Sequence, residues 1–270
     1  MRKTNILFSL ILLLATSFSA LAQEPSDTAQ VMLQNEIETP LGYTKSAADS
    51  AYIKENYSEA ITIYEALLEQ GVAAEVYYNL GNSYYKAGNI AKAILNYERA
   101  VLLAPNNNDY KVNLEIASAK KVDKDVETPE VFLKTWGRGI TNLMGSNQWA
   151  ITSIILFLIF LSALSAFILT KKALVKRISF ILAVCSIILV PITNYCSSLQ
   201  KDKILKHNTA IVMEPSVTVR STPSETGTSL FVIHQGKKVK IKDNSMKSWV
   251  EIQLENGQVG WLQSSDIEII

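Results

Sequence analysis

The sequence predicts a multi-domain membrane protein: an all-α repeat domain, a transmembrane hairpin of two helices and an all-β barrel domain. Three observations lead to this prediction. A motif recurs after 33 residues in the first half of the chain. Two uncharged apolar segments follow it, each about 20 residues long, which is enough to cross a bilayer as a helix. The remaining residues form short alternating segments separated by turn residues, the pattern of β-strands.

The composition excludes several classes of function. The chain has 26 Lys and Arg against 25 Asp and Glu, so it lacks the basic excess of a nucleic-acid-binding protein. Both cysteines, Cys185 and Cys196, lie within an apolar segment, which disfavours a disulfide framework. The two histidines, His207 and His234, have no neighbouring Cys/His cluster. We therefore predict no metal site and no nucleic-acid partner.

Residues 1–22 have the order of a secretory signal peptide. A basic start precedes the apolar run from Ile6 to Leu14 and the small-x-small site Ala20-Leu21-Ala22. The alternative interpretation is a first membrane span that is not cleaved. Residues 23–40 are mostly polar and contain two prolines, so they predict a flexible lead-in.

The repeated motif places Ala60 and Ala93 at equivalent positions, and likewise Tyr64 and Tyr97. The second unit is the clearer one and has the order aromatic, Leu-Gly, Tyr, Ala, aromatic, Ala, Pro. Its residues are Tyr77, Leu80, Gly81, Tyr84, Ala93, Tyr97, Ala100 and Pro105. This order resembles the tetratricopeptide repeat. The small residues allow two antiparallel helices to cross closely, the tyrosines fill the space beside the crossing, and Gly88-Asn89 forms the turn between the helices.

The first unit is degenerate, because Ala48 replaces the glycine and Glu55-Asn56 stands at the turn. A third fragment, Tyr110 to Leu114, predicts a capping helix at about residues 107–122. Its polar outer face would consist of Lys111, Glu115, Lys120 and Lys121. We assign residues 41–123 to the repeat domain with its cap.

The resemblance to tetratricopeptide repeats implies a protein-binding groove lined by the first helix of each repeat. By the family's pattern, Tyr78, Asn82 and Tyr85 would face this groove, with Asn113 from the cap. The alternative interpretation is that Tyr78 and Tyr85 are partly packed surface aromatics.

The two apolar segments, residues 149–169 and 178–199, predict a pair of transmembrane helices. Neither shows the polar stripe of a soluble helix; the alternative is a hairpin buried in a globular core. The intervening loop 170–177 has four basic residues and no acidic residue, which predicts a cytoplasmic position. Export by the signal peptide gives the same topology. Both soluble domains would then be periplasmic, anchored in the inner (cytoplasmic) membrane.

Two features of the second span have alternative interpretations. Cys185 and Cys196 are eleven residues apart and share a helix face, which suits either a dimer contact or small apolar residues in lipid. Pro191 either kinks the helix or is tolerated within it.

The segment before the first span predicts an interfacial helix at residues 128–146, lying on the outer leaflet of the lipid bilayer. Its apolar residues recur at helical spacing: Phe132, Trp136, Ile140 and Leu143. Trp149 would anchor the start of the span at the membrane interface. The alternative is a linker helix packed on the repeats.

The C-terminal region, residues 205–270, predicts an all-β domain. Five segments alternate in polarity: Ala210–Val212, Val217–Arg220, Lys238–Ile241, Trp249–Ile252 and Gln258–Leu262. Asn256-Gly257 between the last two predicts a tight hairpin. The order of Val217–Ser224, His234–Gly236, Trp249 and Gly260–Leu262 resembles the bacterial SH3-like domain.

This second resemblance implies a ligand-binding barrel, a type often associated with cell-wall peptides or protein segments. Its ligand face would lie near Arg220, Ser221, Trp249 and Trp261. The alternative is that both tryptophans are core residues, which we favour for Trp261 because it follows Gly260 in a strand. Arg220 is alternatively an edge charge that prevents aggregation.

Sequence motifs of catalysis are missing from the chain. It has no cysteine beside a histidine, no Gly-rich phosphate loop and no Gly-x-Ser-x-Gly motif. We therefore predict that the protein is not an enzyme and uses no cofactor.

The order of signal peptide, repeats, two spans and SH3-like domain resembles the BatE-type proteins of the Bacteroides aerotolerance (Bat) operon. This resemblance implies a complex with Bat-type von Willebrand proteins and a MoxR-type ATPase, linked to envelope stress. The predicted function is thus a membrane-anchored periplasmic scaffold for protein–protein interaction. The alternative is an envelope sensor or peptidoglycan-binding protein that acts through the SH3-like domain.

Overall fold

The computed structural model describes residues 42–124 and 132–270. The predicted signal peptide, the lead-in and the first residues of the predicted interfacial helix (128–131) lie outside these ranges. The described residues form two compact units. One contains residues 146–200, and the other contains the described residues on either side of it.

The helical-repeat prediction is confirmed by five consecutive helices. They are α1 (Lys45–Ile53), α2 (Tyr57–Gln70), α3 (Ala74–Lys86), α4 (Ile90–Leu103) and α5 (Asn108–Ser118). Four of them begin at a residue whose side-chain oxygen accepts a hydrogen bond from a backbone N–H in the first turn. These capping residues are Thr44, Asn56, Asn89 and Asn107. Side-chain oxygens at these positions satisfy amides that have no partner within the helix, which explains the starting points.

The turns between paired helices differ between the two repeats. Gly88 has φ +86 in the second repeat, a left-handed conformation that glycine adopts without strain. Glu55 has φ +62 at the equivalent turn of the first repeat, where a side chain is disfavoured. The degenerate first unit therefore makes the same turn at a higher conformational cost.

The repeat core pairs small residues with tyrosines, as the motif predicts. A Cβ atom at Gly81 would lie 2.7 Å from two ring carbons of Tyr97, so only glycine fits at this crossing. Tyr64 and Tyr97 are both almost fully buried, and Ala60 and Ala93 are fully buried at the equivalent crossings. The cap differs from its prediction: Val112 and Ile116 are exposed on α5, and Lys121 is 8% exposed and therefore buried.

Helix α6 (Phe132–Thr141) lies within the predicted interfacial segment. After it come α7 (Ser146–Leu169) and α8 (Ala173–Leu205), both apolar and long enough to cross a membrane. The connection between α7 and α8 contains only residues 170–172, because Ala173 to Arg177 holds no helix breaker and joins α8. Lys176 and Arg177 thus belong to the first turns of α8 rather than to a loop.

Apart from Trp149, the buried residues on α7 and α8 are small or polar. They are Ser153, Ala163, Ser179, Ala183, Ser186, Thr193, Cys196 and Gln200. The large aliphatic residues, such as Ile154 and Ile181, are mostly exposed. Small residues let helix backbones approach closely in lipid, whereas a helix in a soluble core would bury its large side chains. The interpretation as a hairpin buried in a globular core therefore disagrees with the structure.

Four residues of α7 and α8 bear on the sequence predictions. Trp149, the predicted anchor at the start of the first span, is buried. Cys196 is buried whereas Cys185 is exposed, and both are free thiols. Helix α8 continues through Pro191 without interruption.

The all-β prediction is confirmed by a seven-stranded antiparallel sheet with the strand order β3-β2-β6-β5-β4-β1-β7. The strands are β1 (Thr209–Val212), β2 (Ser216–Arg220), β3 (Ser229–His234), β4 (Lys238–Asp243), β5 (Trp249–Gln253), β6 (Val259–Gln263) and β7 (Ile267–Ile269). We call residues 209–270 the β domain. Strands β3 and β7 were not predicted, because Leu230 to Ile233 is an unbroken apolar run without alternation and β7 has only three residues.

Alternating residues of the strands fill the core of the β domain: Val217, Val219, Val250, Ile252 and Leu262 are all buried. The predicted Asn256-Gly257 hairpin is confirmed. Gly257 has φ +88, and its amide donates a hydrogen bond to the carbonyl oxygen of Leu254 at 3.0 Å.

Candidate binding surfaces

A groove lies between α1 and α3, the first helices of the two repeats. Its volume is about 340 Å³. The residues that line it are Lys45, Asp49, Tyr52, Ile53, Tyr64, Glu75, Asn79 and Asn82. We call it the α1–α3 groove. Most of these side chains are polar, and both charges are represented, so the groove suits a polar or mixed ligand rather than a purely apolar one.

Asp49 is the centre of the hydrogen bonds in this groove. Its carboxylate accepts hydrogen bonds from Lys45 Nζ at 2.9 Å, from Asn79 Nδ2 at 3.4 Å and from the Tyr64 hydroxyl. Lys45 Nζ also lies 3.0 Å from Glu75 Oε1. Burial and the hydrogen bond to Asp49 raise the pKa of Tyr64 well above its ordinary value. The phenol therefore remains a donor that holds the carboxylate in place.

A second polar cluster joins α3 to the capping helix α5. Asn113 Nδ2 donates to the Tyr78 hydroxyl and to Asn82 Oδ1, both at 2.9 Å. The Tyr97 hydroxyl donates to Asn82 Oδ1 at 2.7 Å. The Tyr78 ring stacks on Tyr110 with centroids 4.6 Å apart. Asn82 also lines the α1–α3 groove, so the cluster and the groove form one continuous polar surface.

The structure thus brings together three of the four predicted groove residues, Tyr78, Asn82 and Asn113. Tyr85 is not hydrogen-bonded to this cluster; its ring lies 4.3 Å from Lys120 Nζ. The stacked ring of Tyr78 agrees with the interpretation that this side chain is a partly packed aromatic.

Sequence analysis missed the groove residues of the first repeat, although the 33-residue spacing could have found them. Subtracting one repeat from Tyr78, Asn82 and Tyr85 leads to their equivalents on α1. These are Lys45, Asp49 and Tyr52, which all line the α1–α3 groove. Equivalent helix positions face the same side in a repeat stack, so one repeat predicts the lining of the next.

On the β domain, three of the four predicted ligand residues share one sheet face. Arg220 on β2 lies directly opposite Trp261 on β6, and Trp261 lies opposite Glu251 on β5. Trp249 is two residues before Glu251, so it points to the same side. Trp261 is half-buried on this outer face and does not belong to the core cluster. The interpretation of Trp261 as a core residue is therefore wrong.

Arg220 organises the loop that follows β2. Its Nη1 donates to the carbonyl oxygen of Gly227 at 3.0 Å, and its Nη2 lies 3.5 Å from Glu225 Oε2. Ser221 is exposed at the start of this loop. Arg220 therefore acts mainly within the domain, since its guanidinium is already engaged.

An open groove of about 670 Å³ lies beside Trp249. Its lining residues are Pro223, Ser224, Glu225, Lys247, Ser248, Trp249, Gln263, Ser264 and Ser265. We call it the Trp249 groove. Among the predicted ligand residues, only Trp249 lines it; Arg220, Ser221 and Trp261 lie outside its lining.

The β domain packs directly on helix α4 of the repeats, and we call these contacts the junction. Arg99 Nη2 donates to Glu268 Oε1 at 3.2 Å and to the Ile269 carbonyl at 2.6 Å. Lys238 Nζ donates to Glu98 Oε2 at 2.7 Å. Apolar contacts accompany these, because Ile211 and Ile270 are buried in the same core cluster as Ile94 and the other repeat residues.

Asp123, at the end of the repeat domain, makes two further contacts with the β domain. Its carboxylate accepts the backbone N–H of His234 at 2.7 Å and lies 2.9 Å from Nδ1 of the same histidine. Gly236 follows in the β3–β4 turn, where an added Cβ would lie 3.0 Å from Ile94 Cδ1. No sequence signal predicted the junction, because its partners are more than 100 residues apart along the chain.

An open groove of about 240 Å³ lies beside α4, next to the junction. Tyr84, Lys92, Asn96, Arg99 and Glu268 are among its lining residues. Asn96 is 3% exposed, and its Oδ1 has no hydrogen-bond partner within the described ranges. Burial and a hydrogen bond to Glu65 raise the pKa of Tyr84, so this phenol remains protonated beside Lys92.

Within residues 42–124 and 132–270, no group of three or more His, Cys, Asp or Glu side chains could hold a metal ion.

Comparison with known proteins identifies two domain families in the chain. Residues 74–107 match the tetratricopeptide repeat, and residues 215–268 match the bacterial SH3 domain. Both are modules of protein–protein interaction, and the chain therefore combines two regions of this type.

A curated protein also shows similarity to part of the chain. The human (Homo sapiens) intraflagellar transport protein 88 homolog is 29% identical over 111 residues, which is 38% of this chain. The aligned region covers 14% of that protein, so the chain spans only a small part of the curated relative it matches.

Proposed function

We propose that this protein is a membrane-anchored periplasmic scaffold that binds a partner protein with its repeat domain. The observation that carries the proposal is the continuous polar surface formed by the α1–α3 groove and the Asn82–Asn113 cluster. It lies on a fold whose matched family is an interaction module. Hydrogen bonds within the repeats hold these side chains in place before a partner arrives, which lowers the entropic cost of binding.

The chemistry of the groove suits an extended peptide segment. The amides of Asn79, Asn82 and Asn113 offer both donors and acceptors, which is what the alternating N–H and C=O groups of a peptide backbone require. Lys45 and Glu75 add one charge of each sign at the edge of the groove. The expected partner is therefore a segment with mixed polarity rather than a strongly acidic or basic tail.

Membrane anchoring is supported by α7 and α8, whose large aliphatic side chains are mostly exposed. Lys171, Lys172, Lys176 and Arg177 cluster where the two helices are joined, which favours a cytoplasmic position for this end. Together with the predicted signal peptide, this supports the proposal that both soluble domains are periplasmic and that the helices lie in the inner membrane. Cysteines introduced at Lys172 and at the exposed Thr226 would report this orientation through labelling with a membrane-impermeant reagent.

The order of domains supports a place in a Bat-type complex linked to envelope stress. Its partners would then be Bat-type von Willebrand proteins and a MoxR-type ATPase system. Co-purification of the full chain from its native membrane, followed by identification of the bound proteins, tests this assignment.

The groove itself is tested by photo-crosslinking in cells. A photoreactive amino acid at Tyr52, inside the α1–α3 groove, should yield a discrete protein adduct, and the same group at Val72 should not. Val72 is 64% exposed on the repeat domain and is absent from the groove lining, so it controls for random encounters. Equal labelling at both positions, or none at Tyr52, would contradict the proposed binding surface.

A second candidate function, peptidoglycan binding, is favoured by the Trp249 groove. An aromatic face lies there between Glu225 and Lys247, which offer one charge of each sign to a short wall peptide. Detergent-solubilised full chain should bind purified peptidoglycan, and Trp249→Ala should reduce binding several-fold. The full chain is needed because the junction buries part of the β domain against α4. If the wild-type chain does not bind, this candidate is wrong.

A further inference from the structure

Helix α6 carries an exposed apolar strip. Phe132 is 77% exposed, and Trp136 and Leu143 are each 61% exposed. At about 100° per residue, Phe132 and Trp136 lie roughly 40° apart around the helical axis, and Leu143 follows in the turn after the helix. Two exposed aromatic rings followed by an exposed leucine form a surface that water solvates poorly and that a partner would cover.

The sequence of α6 gives little intrinsic stability to the helix. It is ten residues long and contains Gly137 and Gly139, neither of which has a neighbouring atom within 4 Å of an added Cβ. Glycine is a weak helix former, and isolated helices of this length are marginal in water. Since the space around both glycines is open, close packing does not explain them. A helix of this kind depends on a surface against which its apolar strip can lie.

The charges on and near α6 indicate the nature of that surface. Residues 132–145 contain Lys134 and Arg138 and no acidic residue. Lys203 joins them, because its Nζ donates to Asn142 Oδ1 at 2.9 Å. An anionic surface would relieve their mutual repulsion.

The short connection between α6 and α7 further limits which surface can cover the apolar strip. Only residues 142–145 separate the end of α6 from the start of α7, the first helix proposed to cross the membrane. A segment so short keeps α6 close to the bilayer surface whenever α7 is inserted. An apolar strip with neighbouring cations next to a span is the pattern of a helix that lies in the membrane interface.

We propose that α6 binds the lipid surface, with Phe132, Trp136 and Leu143 in the boundary between headgroups and acyl chains and the nearby cations facing anionic headgroups. This inference rests on the membrane anchoring in the proposed function. It adds a lipid-binding element, which would fix the height of the soluble domains above the bilayer. A second copy of the chain and a protein partner are the competing occupants of the strip.

Depth-dependent quenching of fluorescence distinguishes these occupants, when it is measured in nanodiscs that each hold one copy of the chain. The full chain, with Cys185 and Cys196 replaced by alanine, receives one cysteine labelled with an environment-sensitive fluorophore. The nanodiscs contain zwitterionic and anionic phospholipids with a quencher at a shallow or a deep acyl position. A label at Trp136→Cys should be quenched several-fold more by the shallow lipid than by the deep one. A label at Phe132→Cys should behave in the same way, so the result does not depend on one variant.

Two controls make a failure interpretable. Thr226→Cys, in the exposed loop between β2 and β3, should be quenched mainly by an aqueous quencher. Leu158→Cys, within α7, should be quenched most by the deep lipid. If Leu158 is not quenched by lipid, the membrane anchoring fails. If Leu158 is quenched but Trp136 and Phe132 are reached only from water, the anchoring stands and the lipid-binding role of α6 is wrong. Shielding of both labels from lipid and water alike would assign the strip to a protein contact and overturn the inference.

Discussion

The guanidinium of Arg99 on α4 donates a hydrogen bond to the carboxylate of Glu268 on β7 at 3.2 Å, across 169 residues of sequence. The same nitrogen donates to the neighbouring Ile269 carbonyl at 2.6 Å. The repeat domain and the β domain are therefore fastened to each other by side-chain and backbone contacts together.

Removing the Arg99 side chain should loosen the junction modestly. Arg99 is 23% exposed and Glu268 is 44% exposed, so solvent screens the ion pair and its contribution is at most about 1 kcal/mol. The hydrogen bond to the Ile269 carbonyl adds a similar amount. We expect Arg99→Ala to lower the melting temperature of the detergent-solubilised chain by roughly 2–4 °C.

Lys86→Ala is the matched control for this variant. Lys86 is an exposed cation at the end of α3, outside the junction, and its removal should change stability by less than about 0.5 kcal/mol. Hydrogen exchange at β7 should rise in Arg99→Ala and stay constant in Lys86→Ala. Equal effects of the two substitutions would show that Arg99 does not fasten the domains.

The crossing of α3 and α4 should tolerate no side chain at Gly81. In Gly81→Ala, the new methyl group would lie 2.7 Å from two ring carbons of Tyr97, a ring that is almost fully buried and cannot move aside. Overpacking of this kind costs about 1–3 kcal/mol, which exceeds the gain of about 1 kcal/mol in helix propensity. Chemical unfolding should therefore show a net loss of stability.

Gly71→Ala provides the comparison, because nothing lies within 4 Å of a Cβ at that position. Gly71 has φ 179, an extended conformation that alanine adopts readily. This variant should be as stable as the wild type. A stable Gly81→Ala protein would mean that the two helices do not cross as closely as the structure indicates.

Local sequence patterns predict some of these features and not others. The crossing and the inter-helix turns at Asn56 and Asn89 depend on residues that lie close together within one motif, so local patterns predict both. The junction depends on Arg99 and Glu268, which no local pattern connects.

The β domain shows a second limit of sequence analysis. Trp261 follows a glycine in a strand and was assigned to the core, but its face is decided by pairing with Arg220 and Glu251. A shift of one residue in register moves every side chain to the other face, and the alternation of a short strand does not determine its register alone. The groove residues of α1 lie one 33-residue repeat before the predicted residues of α3, so the repeat spacing alone locates them.

Tyr64 should make the repeat domain sensitive to alkaline pH. Burial and the hydrogen bond to Asp49 raise the pKa of Tyr64 above the value of about 10 that a tyrosine has in an unfolded chain. The unfolded chain therefore loses this proton first as the pH rises. The associated stability is fully present below pH of about 10 and decreases as the pH approaches the folded-state pKa.

Unfolding free energies measured between pH 9 and 11.5, roughly, should fall less steeply in Tyr64→Phe than in the wild type. Tyr43→Phe serves as the comparison, because Tyr43 lies outside the Asp49 hydrogen bonds. An unchanged slope in Tyr64→Phe would show that the folded protein does not retain this proton.

Ile53 should contribute to partner binding without contributing to stability. It lines the α1–α3 groove and is 78% exposed, so Ile53→Ala removes little buried surface and should leave stability within about 0.5 kcal/mol of the wild type. Once a partner peptide covers the groove, the same truncation removes a buried aliphatic contact, which is worth about 1–2 kcal/mol. The affinity for the crosslinked partner should then fall roughly 5- to 30-fold. Val72→Ala removes an equally exposed β-branched side chain outside the groove and should bind normally. Isothermal titration with the full chain distinguishes the cases: a matching loss in both variants would indicate general damage, and no loss in Ile53→Ala would place the partner elsewhere on the repeats.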